Sequence, residues 1–130
     1  MKWRSVFGLI PVPVLYTDAL PEGVGGQVNS VFPVFFTVIR IRPRYEHDEG
    51  IHRHELAHVE LRWLTLGFSV FITAKRFRIW NEARAYKVQM RYPDTTGHYM
   101  SLDEAAQRLA GPHYGFGLTQ EKARNLIQEA

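Results

Sequence analysis

Three residues could do chemistry together: His54, Glu55 and His58, in the run His54-Glu55-Leu56-Ala57-His58. On an α-helix, residues four apart lie about 40° apart on one face. Two imidazoles so placed can grip one metal ion. Glu55 projects beside them, where a carboxylate can take a proton from water. The pattern fixes only three positions, so its neighbours must be weighed with it. With His54 as the zero angle, Ala57, Leu61, Leu64 and Phe68 gather on one side of the helix, and Leu56, Val59 and Trp63 nearly opposite. A helix apolar on two sides is expected to be buried between two layers. Buried imidazoles and carboxylates need partners, and a metal ion satisfies two histidines and a glutamate at once.

A catalytic metal usually takes a third protein ligand. The candidates are Glu60, Glu82, Asp94, His98 and His113. Glu60 lies about 160° around the helix from His58 and cannot easily share its ion. Glu82 fits best. From His58 to Gly67 the chain has nine residues and from Gly67 to Glu82 fifteen. A helical return over the same distance uses about nine of these and leaves about six for a turn. Glu82 is therefore expected level with His58 on an antiparallel helix.

The elements that must position these residues follow from the pattern. Residues 3–16 are rich in Val, Leu and aromatics, with Pro11 and Pro13 inside, and predict one or two short edge-like strands. Thr17 to Ser30 carries Pro21, Gly23, Gly25 and Gly26 and reads as a loop. Val34 to Arg42 alternates with a two-residue period and predicts a strand, apolar on one face and basic towards its end on the other. The motif helix is expected over about 48–66, with Asp48 or Glu49 at its start and Gly67 as its stop. Phe68 to Ala74 reads as a turn with more helix or as a short strand, and the side chains of Phe68 to Phe77 are expected to pack into the core, with a loose membrane-surface contact as the alternative. A second helix is predicted from about Lys75 to Arg91, with Ile79, Ala83, Tyr86 and Met90 as its apolar stripe. Ser101 and Glu104 form a capping box opening a helix to about Ala110, and Thr119 caps a last one. The fold class is α+β: a short antiparallel or mixed sheet packed on the motif helix, a second ligand helix and C-terminal helices. One domain is expected over 1–130, with strands and loop in 1–33, the metal-binding core in 34–92 and a helical part in 93–130.

Composition narrows the chemistry. The 130 residues contain no cysteine and carry a net charge of +3. Any zinc site must therefore use His, Asp or Glu, and no thiolate chemistry is open. The basic cluster Arg40, Arg42 and Arg44 reads as a solvated strand edge, and no nucleic-acid partner is expected. Lys2 and Arg4 precede an apolar run, but Pro11 and Pro13 interrupt it, so a cytoplasmic protein is expected. No run is long enough to span a bilayer, and a monomer is expected.

His54-Glu55-x-x-His58 with a downstream Glu82 on a second helix resembles the gluzincin branch of the zincin metallopeptidases. Asn81-Glu82-Ala83 resembles the glutamate helix of its thermolysin-like members. The chain is also similar to small phage- and bacterium-encoded proteins of this type, over about residues 34–92. The resemblance implies a small zincin-like domain, Zn2+ on His54, His58 and Glu82, Glu55 as general base, and Val34–Arg42 as the sheet edge that aligns an extended peptide. Thermolysin-like members have an aspartate four residues after the glutamate ligand, which orients the first histidine. Here that position is Tyr86, so orientation is expected from the Tyr86 hydroxyl or a backbone carbonyl. The metzincin extension is absent, since Val59, Glu60, Leu61 and Arg62 offer neither its Gly nor its His.

The function expected is zinc-dependent hydrolysis of a peptide or protein substrate. Tyr86, His98, Tyr99, His113 and Tyr114 are candidates to stabilise the oxyanion, with Tyr86 and His113 foremost. The alternatives are a non-catalytic, metal-stabilised structural protein of a phage or mobile element, and a basic interaction module.

Overall fold

A computed structural model of the chain describes residues 2–31 and 36–130. Four strands form one mixed sheet: β1 (Lys2–Val6), β2 (Ile10–Tyr16), β3 (Gly26–Val31) and β4 (Phe36–Ile41), in the spatial order β1-β2-β4-β3. β1 and β2 are antiparallel, β2 and β4 parallel, and β3 and β4 antiparallel. The helices are α1 (Glu49–Leu64), α2 (Lys75–Gln89), α3 (Leu102–Leu109) and α4 (Gln120–Glu129). None is long and apolar enough to cross a membrane.

The prolines of β2 explain its unequal pairing. Its ladder to β4 begins at Val14, just past Pro11 and Pro13, because proline has no N–H to give. Only β1 is an edge at this end of the sheet; β2 pairs with β1 over Ile10 to Val14 and with β4 over Val14 to Tyr16.

Two expectations about the sheet need correction. Residues 26–31, expected in a loop, are strand β3. Their signal is weak because Gln27, Asn29 and Ser30 are polar and two glycines precede them; pairing to β4 supplies the order. In consequence β4 is an interior strand, and β3 is the edge. The expected strand start at Val34 and Phe35 lies outside the described residues.

The alternation read in β4 holds. Thr37, Ile39 and Ile41 are buried, with Arg40 and Arg42 on the opposite face. Arg42 has an internal task. Its guanidinium donates to the carbonyls of Asp18, Leu20, Pro21 and Val24 at 2.8–3.1 Å, which pins the loop before β3.

Asp48 caps α1, its carboxylate accepting from the Ile51 N–H at 2.9 Å. One side of α1 packs on the sheet, where Leu56 and Val59 join Val6, Val12, Val14, Ile39 and Ile41. Buried His52 faces the same way. Its Nδ1–H donates to the Asp48 carbonyl, and its Nε2 accepts from the Tyr16 hydroxyl at 2.9 Å. Arg4 of β1 forks onto Glu49 with two bonds of 2.8 Å. The other side of α1 meets α2, and Arg84 donates across to the Ala57 carbonyl at 3.0 Å.

α2 shares a second core with α3 and α4, built on Ile79, Ala83, Tyr86, Ala106, Leu109 and Ile127, with Met90 packed against it. The capping box at Ser101 and Glu104 and the Thr119 cap form as expected. The two-sided burial of α1 stops short of its end. Leu61 is buried, but Leu64 and Phe68 are exposed. Phe68–Phe71 is a 3-10 turn in which Phe68 and Phe71 are exposed and Ser69 is buried.

Candidate metal centre

α1 and α2 run side by side, and their facing surfaces carry the polar residues that the two cores exclude. His54 and Glu55 are each only 6% exposed. Glu82 arrives from α2 between the two histidines. Its Oε2 lies 3.2 Å from His54 Nε2 and its Oε1 3.3 Å from His58 Nε2. The two Nε2 atoms are 3.3 Å apart. Within the described residues, this is the one group of three or more His, Asp or Glu side chains close enough to hold an ion, with ligand atoms all within 4.8 Å of one another.

The far nitrogens fix which way the lone pairs point. His54 Nδ1–H donates to Gln89 Oε1 at 2.9 Å, and His58 Nδ1–H donates to Asn81 Oδ1 at 3.0 Å. Both Nε2 lone pairs are then turned inward. Two such lone pairs facing each other and a carboxylate repel unless a proton or a metal ion lies among them. The donor set therefore fits a metal ion.

Compared with known protein families, curated proteins and solved structures, the chain matches none.

Gln89 and Asn81 replace the partner expected for the histidines. Tyr86 does not bond His54; its ring packs edge-on against the imidazole, with centroids 4.6 Å apart. Its hydroxyl pairs instead with that of Tyr114 at 2.8 Å, and Tyr114 donates on to Glu82 Oε2 at 2.9 Å. Gln89 was legible in principle. It lies seven residues after Glu82, two turns along, so it shares that face within about 20°. On an antiparallel helix, later residues of α2 lie beside earlier residues of α1, which brings Gln89 to His54.

The other candidates stand apart from the ligand cluster. His98 bonds Glu104 at 2.8 Å, and Asp94 accepts from Thr96 and the His98 N–H in a surface turn. Glu60 is outside the cluster, and Tyr99 is exposed. His113 lines the cleft with its ring against Tyr114, centroids 4.1 Å apart.

Charge follows from this crowding. Burial alone would lower His58, but the Glu82 carboxylate beside it, then Glu55, outweigh burial and raise its pKa to about 9. Burial would raise Glu82, yet the facing histidines hold it well below the usual carboxylate range. Burial pushes Glu55 up, opposed by His54 and His58. Burial also lifts Tyr86 to about 12.

Two outcomes follow for metal binding. Below about 9, His58 carries a proton that a metal must displace, so apparent affinity should rise with pH by up to about tenfold per unit and level off above that value. Titrations of metal affinity against pH check this; a flat profile between neutral and pH 9 contradicts it. Gln89→Leu leaves the buried Nδ1–H of His54 without an acceptor and should weaken metal binding about 10–100-fold, measured by competition with a chelator.

A cavity of about 480 Å³ opens over the cluster. Gly23 to Val28 line it, with Tyr92, Asp94, His98, Met100, His113 and Tyr114. Gly26 lies directly against Glu55: a β-carbon there would come 2.9 Å from Oε1 and 3.1 Å from Cγ. Any larger side chain there must push the Glu55 side chain aside.

Proposed function

We propose that the chain is a gluzincin-like zinc peptidase, with His54, His58 and Glu82 holding Zn2+ and Glu55 as general base. The observation that carries the zinc assignment is the set of donor separations. Zinc takes imidazole nitrogens and carboxylate oxygens at about 2.0–2.2 Å, and here the two Nε2 atoms lie 3.3 Å apart, with Glu82 Oε2 3.2 Å from that of His54 and Oε1 3.3 Å from that of His58. When bound, zinc supplies a Lewis acid for a carbonyl oxygen and lowers the pKa of water towards about 7.

The remaining steps belong to the chain's own groups. Glu55 is buried beside the ligands yet outside their cluster, so its carboxylate is available to hold a proton. Burial raises its proton affinity, which suits a group that takes a proton from water and returns it to a leaving amine. β3 is the free edge of the sheet and its first residues wall the cavity. An extended peptide can pair with that edge by main-chain hydrogen bonds, and Gly26 then brings it alongside Glu55. Tyr114 donates to Glu82; its hydroxyl, and His113 beside it, are the nearest candidates for an oxyanion.

A digest of a peptide library tests the activity. Cleavage is expected with zinc and none after chelation; no cleavage with one zinc bound overturns the proposal. That last outcome favours a structural metal, the reading suggested by the site's position at the junction of the two cores. Gly26→Ala is a finer probe. The new methyl displaces the end of a side chain rather than backbone, so fold and zinc are retained while turnover falls about 10–100-fold through the misplaced base. Unchanged turnover removes Gly26 from the mechanism.

A further inference from the structure

The turn between α1 and α2 carries a run of exposed apolar side chains longer than that of the β1–β2 hairpin, where Trp3, Phe7 and Leu9 are exposed and Phe7 is also at positive φ. Leu64, Leu66, Phe68 and Phe71 are 64–70% exposed, and Ile72 and Trp80 follow at 42% each. Core-sized side chains are thus gathered at one tip of the molecule, where soluble domains rarely leave a contiguous apolar patch. Leu66 also holds a left-handed backbone, φ 52°, at the position just past the helix end where glycine is usual. A bulky side chain is kept there against backbone preference and without burial.

Charge around the tip has one sign. From Leu61 to Asn81 there is no Asp or Glu, while Arg62, Lys75, Arg76 and Arg78 are basic. Arg62 bonds the Val28 carbonyl and Arg78 lies over the Phe116 ring. Lys75 and Arg76 are exposed and, among the described residues, form no ion pair. They open α2, whose first turn has no acidic residue and no capping side chain, the reverse of the usual arrangement.

We infer that this tip docks on an anionic lipid surface. Leu66, Phe68 and Phe71 enter the boundary between headgroups and acyl chains, and Lys75 and Arg76 meet the phosphates. Aromatic and leucine side chains flanked by Lys and Arg are the composition such interfacial binding needs. A second copy of the chain is a poorer occupant: a two-fold contact here sets the basic pair of one copy against that of the other. Ser69 lies on this turn and also lines the cavity over the metal cluster, so docking sets the cleft beside the bilayer. The inference does not depend on whether the metal centre is catalytic.

Sedimentation of the full chain with vesicles tests it. Binding is expected to mixed phosphatidylcholine–phosphatidylglycerol vesicles, falling with salt, and weak binding to phosphatidylcholine alone. Leu66→Gly suits the backbone at that position and keeps the fold, so its loss of binding reads the side chain. It and Phe71→Ser should each weaken binding about tenfold, and Lys75→Gln with Arg76→Gln should weaken it only on the anionic vesicles. Tyr99→Ser, an exposed aromatic near the opposite end of α1, should change nothing. No vesicle binding, equal binding by Leu66→Gly and Phe71→Ser, or indifference to lipid charge overturns the inference. So does a concentration-dependent dimer in ultracentrifugation that Leu66→Gly abolishes, which assigns the patch to a second copy.

Discussion

Glu55→Gln is expected to cut peptide hydrolysis by about 10²–10⁴-fold while leaving one zinc bound. The carboxylate is not in the group of ligand atoms, so its loss should not release the ion. It is buried against Gly26, and glutamine has nearly its shape, so packing is preserved. What glutamine lacks is a site for a proton. The measurement is kcat on the best peptide from a library digest, with zinc content and circular dichroism on the same sample. A variant that keeps full activity removes Glu55 as the base. A variant that loses zinc instead places Glu55 among the ligands.

The second large effect concerns stability. The metal cluster bridges α1, which belongs to the sheet core, and α2, which belongs to the helical core. An ion bound only by the folded chain stabilises it by about 4 kcal/mol at a thousandfold excess over Kd. For a domain of this size that corresponds to a rise in Tm of more than about 10 °C. His58→Ala removes one ligand and the proton-sharing partner of Glu82, and should reduce the zinc-induced rise to near zero. Thermal unfolding with zinc and with a chelator, in the native chain and the variant, reads this directly. An equal rise in His58→Ala would place the stabilising ion elsewhere.

Much of this site was legible because it rests on helix arithmetic. An offset of four from His54 to His58, and of twenty-four from His58 to Glu82, fixes a face and a level once both segments are helices. Caps at Asp48, Ser101 and Thr119 were legible for a similar reason: local hydrogen bonding sets them. The alternation of β4 gave its buried face. Its place in the sheet was not legible, because strand order depends on β3, whose polar residues carry no periodic signal. Hydrophobicity misled at Leu64 and Phe68, which read as core although both are exposed among the described residues. The partner of His54 was sought at Tyr86 by resemblance; Gln89 takes that role because α2 runs antiparallel to α1 and carries it one turn further along.

Metal content tests the central claim most directly. The purified chain, loaded with zinc and passed free of excess, should hold one zinc per molecule by elemental analysis. His54→Ala and Glu82→Ala, each shown folded by circular dichroism, should hold close to none. No zinc in the native chain, or a full zinc in both folded variants, would contradict a metal centre built on His54, His58 and Glu82.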